Sequence, residues 1–138
     1  MVDRLENHIA FYRSALKVRT ARQELLAANI ANADTPHFKA RDLDFKSALG
    51  MALGRPGAAA IAPVELARTQ PGHLPGASEG PFAQAIKYRA EYQGAVDGNT
   101  VNMDVERSAF AENSLHIEAL ITFINRRFSG LEAAIKGQ

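Results

Sequence analysis

The chain has 138 residues, with 16 Lys and Arg against 15 Asp and Glu and a formal net charge of +1. One domain is the natural expectation at this length, and so even a charge balance gives no global argument for nucleic acid. Cysteine is absent, which excludes disulfides and thiolate metal sites. A hydrophobic fraction of 46%, mostly Ala, Leu, Ile and Val with no Trp, is too high for full disorder and suits helix packing.

The N-terminal stretch MVDRLENHIAFYRSALKVR carries a charge every few residues. It has no uninterrupted apolar core like that of a secretory signal and no run long enough to span a bilayer. The general secretory route is therefore not expected. Leu5, Ile9, Tyr12, Leu16, Arg19, Gln23, Leu26 and Ile30 follow 4-3 spacing, a heptad seam interrupted at Arg19 and Gln23. The spacing predicts a helix over residues 3–33, about 45 Å long. Thr35-Pro36 should end it, because the residue before proline is pushed out of the α region. Asn29 and Asn32 fall in its last turn, where Asn is a mediocre helix former but can bond spare carbonyls or a following loop.

Between residues 34 and 103 the chain changes character. Residues 42–53 predict a short helix capped by Asp42 or Asp44. Residues 54–81, with GRPGAAAIAP and TQPGHLPGASEGP, read as a loop region. FAQAIKYRAEY, residues 82–92, suits either a short helix or an extended arm. Asp97-Gly98-Asn99-Thr100 is a turn signal. The last segment returns to 4-3 spacing through Phe110, Ser114, Ile117, Ile121, Ile124, Phe128, Leu131 and Ile135. It predicts a helix over 104–136, about 50 Å long, with Asn102 or Asp104 as N-cap and Glu106 favouring the first turn.

Neither long helix is stable alone. Pairing them antiparallel puts residue 33 near 103 and residue 5 near 131, with Arg19 and Arg22 near Glu118 and Glu112. The expected fold class is mainly α: a coiled-coil-like layer of two terminal helices around a loop-rich, partly extended middle. The pair leaves apolar flanks uncovered, Val18, Leu25 and Ala28 on one helix and Leu115 and Leu120 on the other. The Gly- and Pro-rich middle is a poor lid for them. Two readings stay open from periodicity alone: an assembly subunit whose helices pack between neighbours, or a monomeric bundle with 82–92 as third helix.

No catalytic, cofactor or metal site is expected. His8, His37, His73 and His116 are scattered, and no metal-ligand spacing, phosphate loop or nucleophile motif is present. Asp97, Asp104 and Glu106 miss the EF-hand spacing and are better explained by a capped helix start. Arg13, Lys17, Arg19 and Arg22 make a basic patch without the aromatics of a nucleic-acid surface.

Two blocks carry a resemblance. Residues 22–45 read RQELLAANIANADTPHFKARDLDF, and residues 97–124 read DGNTVNMDVERSAFAENSLHIEALITFI. ANIANADTP with its following aromatic resembles the bacterial flagellar axial family of rod, hook and hook-junction proteins. ARDLDF and DGNTVNMD are similar more narrowly to the proximal rod members, with the neighbouring rod protein FlgC as runner-up. The resemblance implies a non-enzymatic rod subunit in the periplasmic part of the basal body, exported by the flagellar apparatus without a cleaved signal. Implied partners are like subunits, FlgC-like rod proteins, a FliE-like adaptor and the export apparatus, with no nucleic acid or small ligand. The rival from another class is a soluble chaperone or adaptor of type III secretion. The whole chain, 1–138, would be one rod-subunit domain. Its expected subunit-packing layer is Leu5, Ile9, Leu16, Leu26, Ile30, Ile117, Ile121, Ile124, Phe128 and Leu131. Its expected joint is Asn29, Asn32, Thr35, Pro36, Phe38, Asp97, Gly98 and Asn99.

Overall fold

The computed structural model describes residues 2–54, 80–90 and 96–137, with side chains from residue 9 onward. Helix α1 spans Val2–Ala31, strand β1 Arg41–Leu43, helix α2 Phe45–Ala52, strand β2 Ile86–Tyr88 and helix α3 Met103–Lys136. A single 3-10 turn, Ala83–Ala85, leads into β2.

The caps follow from local chemistry. Asp44 Oδ1 accepts from Ser47 N at 3.3 Å and starts α2. Asn102 Oδ1 accepts from Asp104 N and Val105 N and starts α3. Both satisfy N–H groups that the first helical turn leaves without a partner. Gly137, at φ 72°, closes α3 by donating to the Ala133 carbonyl, a left-handed cap that glycine adopts without steric cost.

α1 and α3 pair antiparallel. The Tyr12 and Phe123 ring centroids lie 6.4 Å apart, Asn113 bonds Arg19 and Gln23, and Asn29 bonds Glu106. The ribbon lies beside the lower half of the pair: β1 and β2 are antiparallel, with Arg41 opposite Tyr88, Asp42 opposite Lys87 and Leu43 opposite Ile86.

The structure corrects the expectation that the middle covers nothing. Val18, Ala21 and Leu25 pack into one cluster with Leu43, Phe45, Ala48, Met51, Ala52, Phe82, Ala85 and Ile86. Val18 is fully buried there, and Leu26 is fully buried elsewhere on the same helix. Burial of each contributes about 1.5–3 kcal/mol. Two short apolar patches, Phe45, Ala48, Met51 and Ala52 in α2 and the Phe82–Ile86 stretch, cover one flank of α1. Residues 55–79, the core of the expected loop, lie outside the described residues.

Three smaller features have physical reasons. α1 stops at Ala31 rather than 33, because its last turn tightens: Asn32 N donates to both Ala28 and Asn29 carbonyls and Ala33 N to Ile30, a 3-10 pattern usual at helix ends. Of the two forms left open for residues 82–92, a short helix or an extended arm, the described part takes a 3-10 turn and then a strand, since the ribbon takes its backbone bonds: Asp44 N donates to Ala85 O and Arg89 N to Ala40 O. Arg22 pairs with Asp42 rather than Glu112, and Arg19 bonds Asn113 and lies over the Phe45 ring at 4.3 Å rather than meeting Glu118.

Candidate functional site at the helix junction

The stretch after α1 folds back on the turn before α3, and asparagine amides make the connection. Asn99 is buried. Its Nδ2 donates to the carbonyls of Asn32, Ala33 and Thr35 at 3.1, 2.7 and 2.9 Å, and its Oδ1 accepts from Val101 N. One side chain thus takes up carbonyls left over where α1 ends. Asn32 Nδ2 donates to Ala28 O, and its Oδ1 accepts from the Thr35 hydroxyl. His37 N donates to Asp97 O and Thr100 N to Phe38 O, while the Thr100 hydroxyl accepts from Ala40 N. The 97–100 turn is therefore stitched along residues 37–40.

Gly98 is required at this stitch. Its φ is 72°, and a Cβ built on it would lie 2.9 Å from His37 Nδ1. His37 itself sits at φ 61°, a left-handed conformation uncommon outside glycine but tolerated by His.

One turn deeper lies a charged cluster. Asn29 is 1% exposed and Glu106 1%. Asn29 donates to Arg41 O at 2.7 Å and Glu106 Oε2 at 3.1 Å, and accepts from Arg41 N. Glu106 Oε1 accepts from Arg89 Nη1 at 2.6 Å. Arg89 Nη2 reaches Asp42 Oδ2 at 2.7 Å, and Arg22 grips Asp42 through Nε and Nη2 at 2.8 and 3.0 Å. The cluster joins α1, β1, β2 and α3 through one chain of charge-assisted bonds, the strong kind. Burial pushes the Asp42 carboxyl up, but the hydrogen bonds from Arg22 and Arg89 outweigh it and hold its pKa below the usual value. The bond to Asp42 likewise raises Arg22, whereas burial, then the neighbouring Arg22, lowers Arg19. At the ribbon's outer edge the Lys87 ammonium holds Asp44 down at about 2.

A third polar set fills the interruption in the two seams. Asn113, with no exposed surface, donates to Arg19 O at 2.9 Å and Gln23 Oε1 at 2.6 Å and accepts from Arg19 Nη1. Gln23 Nε2 donates to the Ser114 hydroxyl, which donates to Phe110 O.

The structure distributes the expected joint residues unevenly. Asn29, Asn32, Gly98 and Asn99 meet as described, Asp97 contributes its carbonyl and an Oδ1 that accepts from Asn99 N, and Phe38 is half-buried. Thr35 and Pro36 are exposed at the turn. Of the expected packing layer, Leu26 is buried within the chain, and Ile9, Leu16, Ile30, Ile117, Ile124 and Leu131 are half-buried. Ile121 and Phe128 are 44% and 52% exposed, on a line that continues to Ile135 at 86%. Leu5 lies on α1, but its side chain is outside the described residues.

Sequence reasoning missed Asp42, Arg89, Glu106 and Asn113 as linked groups. ARDLDF carried a readable signal: strand alternation puts Asp42 and Asp44 on one face, where cations from a partner strand can reach them. Asn113 stands beside the interrupted seam position Ser114. Glu106 reads as an ordinary first-turn acid, and nothing local marks it as buried. Among the described residues no group of three or more His, Asp or Glu is placed to hold a metal ion, and no helix is long and apolar enough to cross a membrane.

Comparison with known proteins gives this geometry its family. The model of the flagella basal body rod proteins matches residues 9–39, the second half of which leads into the joint. The flagellar basal body rod protein FlgB of Proteus mirabilis strain HI4320 is 44% identical over 138 residues, 99% of this chain and 98% of that protein. FlgB of Escherichia coli K12 is 42% identical, covering 95% and 94%, and FlgB of Cereibacter sphaeroides 41%, covering 96% of each. Identity of this level across nearly the whole length spans both helices and the joint between them, and the chain belongs to the FlgB family of flagellar basal body rod proteins.

Proposed function

We propose that this rod subunit joins its neighbours through the apolar side of the helix pair that it does not cover itself, while the asparagine joint holds the pair at a set angle to the ribbon and α2. One observation carries the reading: α3 presents Ile121, Phe128 and Ile135 at heptad spacing to solvent, in the half of the helix away from the junction with its bonded polar groups. An exposed apolar line of this kind marks an interaction surface. Repeated between identical copies as a heterologous contact that does not close, it generates a helical tube. Leu5, Ile9, Leu16, Ile30, Ile117, Ile124 and Leu131, half-covered within the chain or lying along the same pair, complete the layer.

The role is mechanical rather than catalytic. Buried Glu106 and half-buried Asp42 and Arg89 tie one element to another, so that load entering through the helices reaches the ribbon through several bonds at once. The whole chain acts as one rod-subunit domain. Its partners are like subunits, FlgC-like rod proteins and a FliE-like adaptor. It reaches the periplasmic rod through the flagellar export apparatus without cleavage, and its helix termini order fully only in the assembled rod. The test is a pair of outer-face variants, Ile121→Ser and Phe128→Ser. Each should keep the helicity and melting temperature of the isolated chain and lose incorporation into purified basal bodies, with loss of motility. Normal incorporation of both variants would refute the reading.

A further inference from the structure

The seams that join α1 to α3 consist largely of Leu, Ile, Phe and Ala. Such residues pack equally well one heptad out of step, or against the same helix of a second copy. That ambiguity is hazardous in a chain that self-assembles, because helix exchange between copies is a low-cost route to wrong contacts. We propose that Asn113, together with Arg19, Gln23 and Ser114, is a specificity key that confines α1 to the α3 of its own chain and to a single register.

The geometry supports this. Asn113 is wholly enclosed and uses both ends of its amide on α1: Nδ2 on Arg19 O and Gln23 Oε1, Oδ1 on Arg19 Nη1. Gln23 passes the network to Ser114 and Ser114 to its own helix. Among the described residues no buried side-chain polar atom lacks a partner. A shift of one heptad in one direction would set Asn113 against Tyr12 and Leu16, and in the other against Leu26 and Ile30. In each case apolar side chains replace the partners of an enclosed amide, which is costly. A polar residue at one core position is a known way of fixing register at some expense of stability.

The chain has no cysteine, so engineered pairs report register cleanly on the isolated full-length protein, independently of whether it enters a rod. Tyr12→Cys with Phe123→Cys reads the native register, and Tyr12→Cys with Gly130→Cys reads a one-heptad shift. In the native background only the first pair should cross-link, within one chain. In an Asn113→Leu, Gln23→Leu background, the shifted cross-link and disulfide-linked dimers should rise by about tenfold or more, the scale set by one unpaired buried amide. Moving the key by Asn113→Leu with Leu120→Asn should make the shifted cross-link the main product, an outcome that misfolding cannot imitate. Helicity and melting temperature of the Leu variant should match or exceed the parent's, since a key sacrifices stability for specificity. The proposal is overturned if the Leu background keeps the native intramolecular cross-link alone, or if that variant fails to fold, which would make the network a structural necessity.

Discussion

From Val18 to Asn29 the first helix is enclosed on two sides, by α3 and by the ribbon with α2, and the polar groups Asn29, Glu106 and Asn113 are buried there as deeply as Val18 and Leu26. Beyond Ser114 the other helix has no buried residue at all among those described, and Leu115, Ile121, Phe123, Phe128 and Ile135 are exposed while Ile117, Ile124 and Leu131 are only half-covered. The usual distribution is thus inverted between the two halves of one helix pair. The difference teaches where each kind of work is done. The enclosed half fixes shape through directional bonds that only one geometry satisfies. The open half offers non-directional apolar surface, which is useful only when another surface meets it.

Five changes would break or sharpen that contrast. The largest effect is expected from Glu106→Ala. It takes one of two carboxylate partners from Arg89 and one bond from buried Asn29, leaves a cavity, and should cost about 3 kcal/mol or more, read as a lowered urea midpoint. Leu26→Ala comes next, at about 2–4 kcal/mol for a cavity in the enclosed half; Phe128→Ala in the open half should fall within about 0.5 kcal/mol by the same measurement. Equal costs for the two would erase the distinction. Gly98→Ala should cost about 1–2 kcal/mol through its left-handed φ and the clash with His37, without altering helicity. The smallest effect is on acid stability. Asp42 and Asp44 are held below their ordinary value of 3.8 in the folded chain, Asp44 at about 2. Their contribution is therefore complete above about pH 4 and is lost as pH falls toward 2. An acid titration followed by circular dichroism should show that loss, and Asp42→Asn should flatten it while lowering stability at neutral pH.

The long helices, the capping residues Asp44 and Asn102, and the antiparallel register were legible because they rest on local rules of spacing and hydrogen bonding. The asparagines at the end of α1 were legible as carbonyl-binders. Their partner Asn99 was placed in the joint through the family resemblance, while local rules mark it only as part of a turn, because the bonds to Asn32, Ala33 and Thr35 bridge more than sixty positions of sequence. Asp42 was read as a cap for the same reason. A carboxylate at a strand end and one at a helix start look alike until the strand that brings Arg89 is in place. Arg22 was matched to the nearest acid on the opposite helix, whereas the ribbon inserts a closer one.

The ribbon has an evolutionary consequence. Asp44 N donates to Ala85 O at 2.8 Å, so the two ends of the segment that holds α2 and the connection after it are fastened together at one clasp. The entropy of closing such a loop grows slowly, by about 0.6 kcal/mol for each doubling of its length. Insertions and deletions between Leu53 and Phe82 would leave the helix pair and its joint undisturbed. The clasp thus lets the length of this connection change without moving the ends that the ribbon holds.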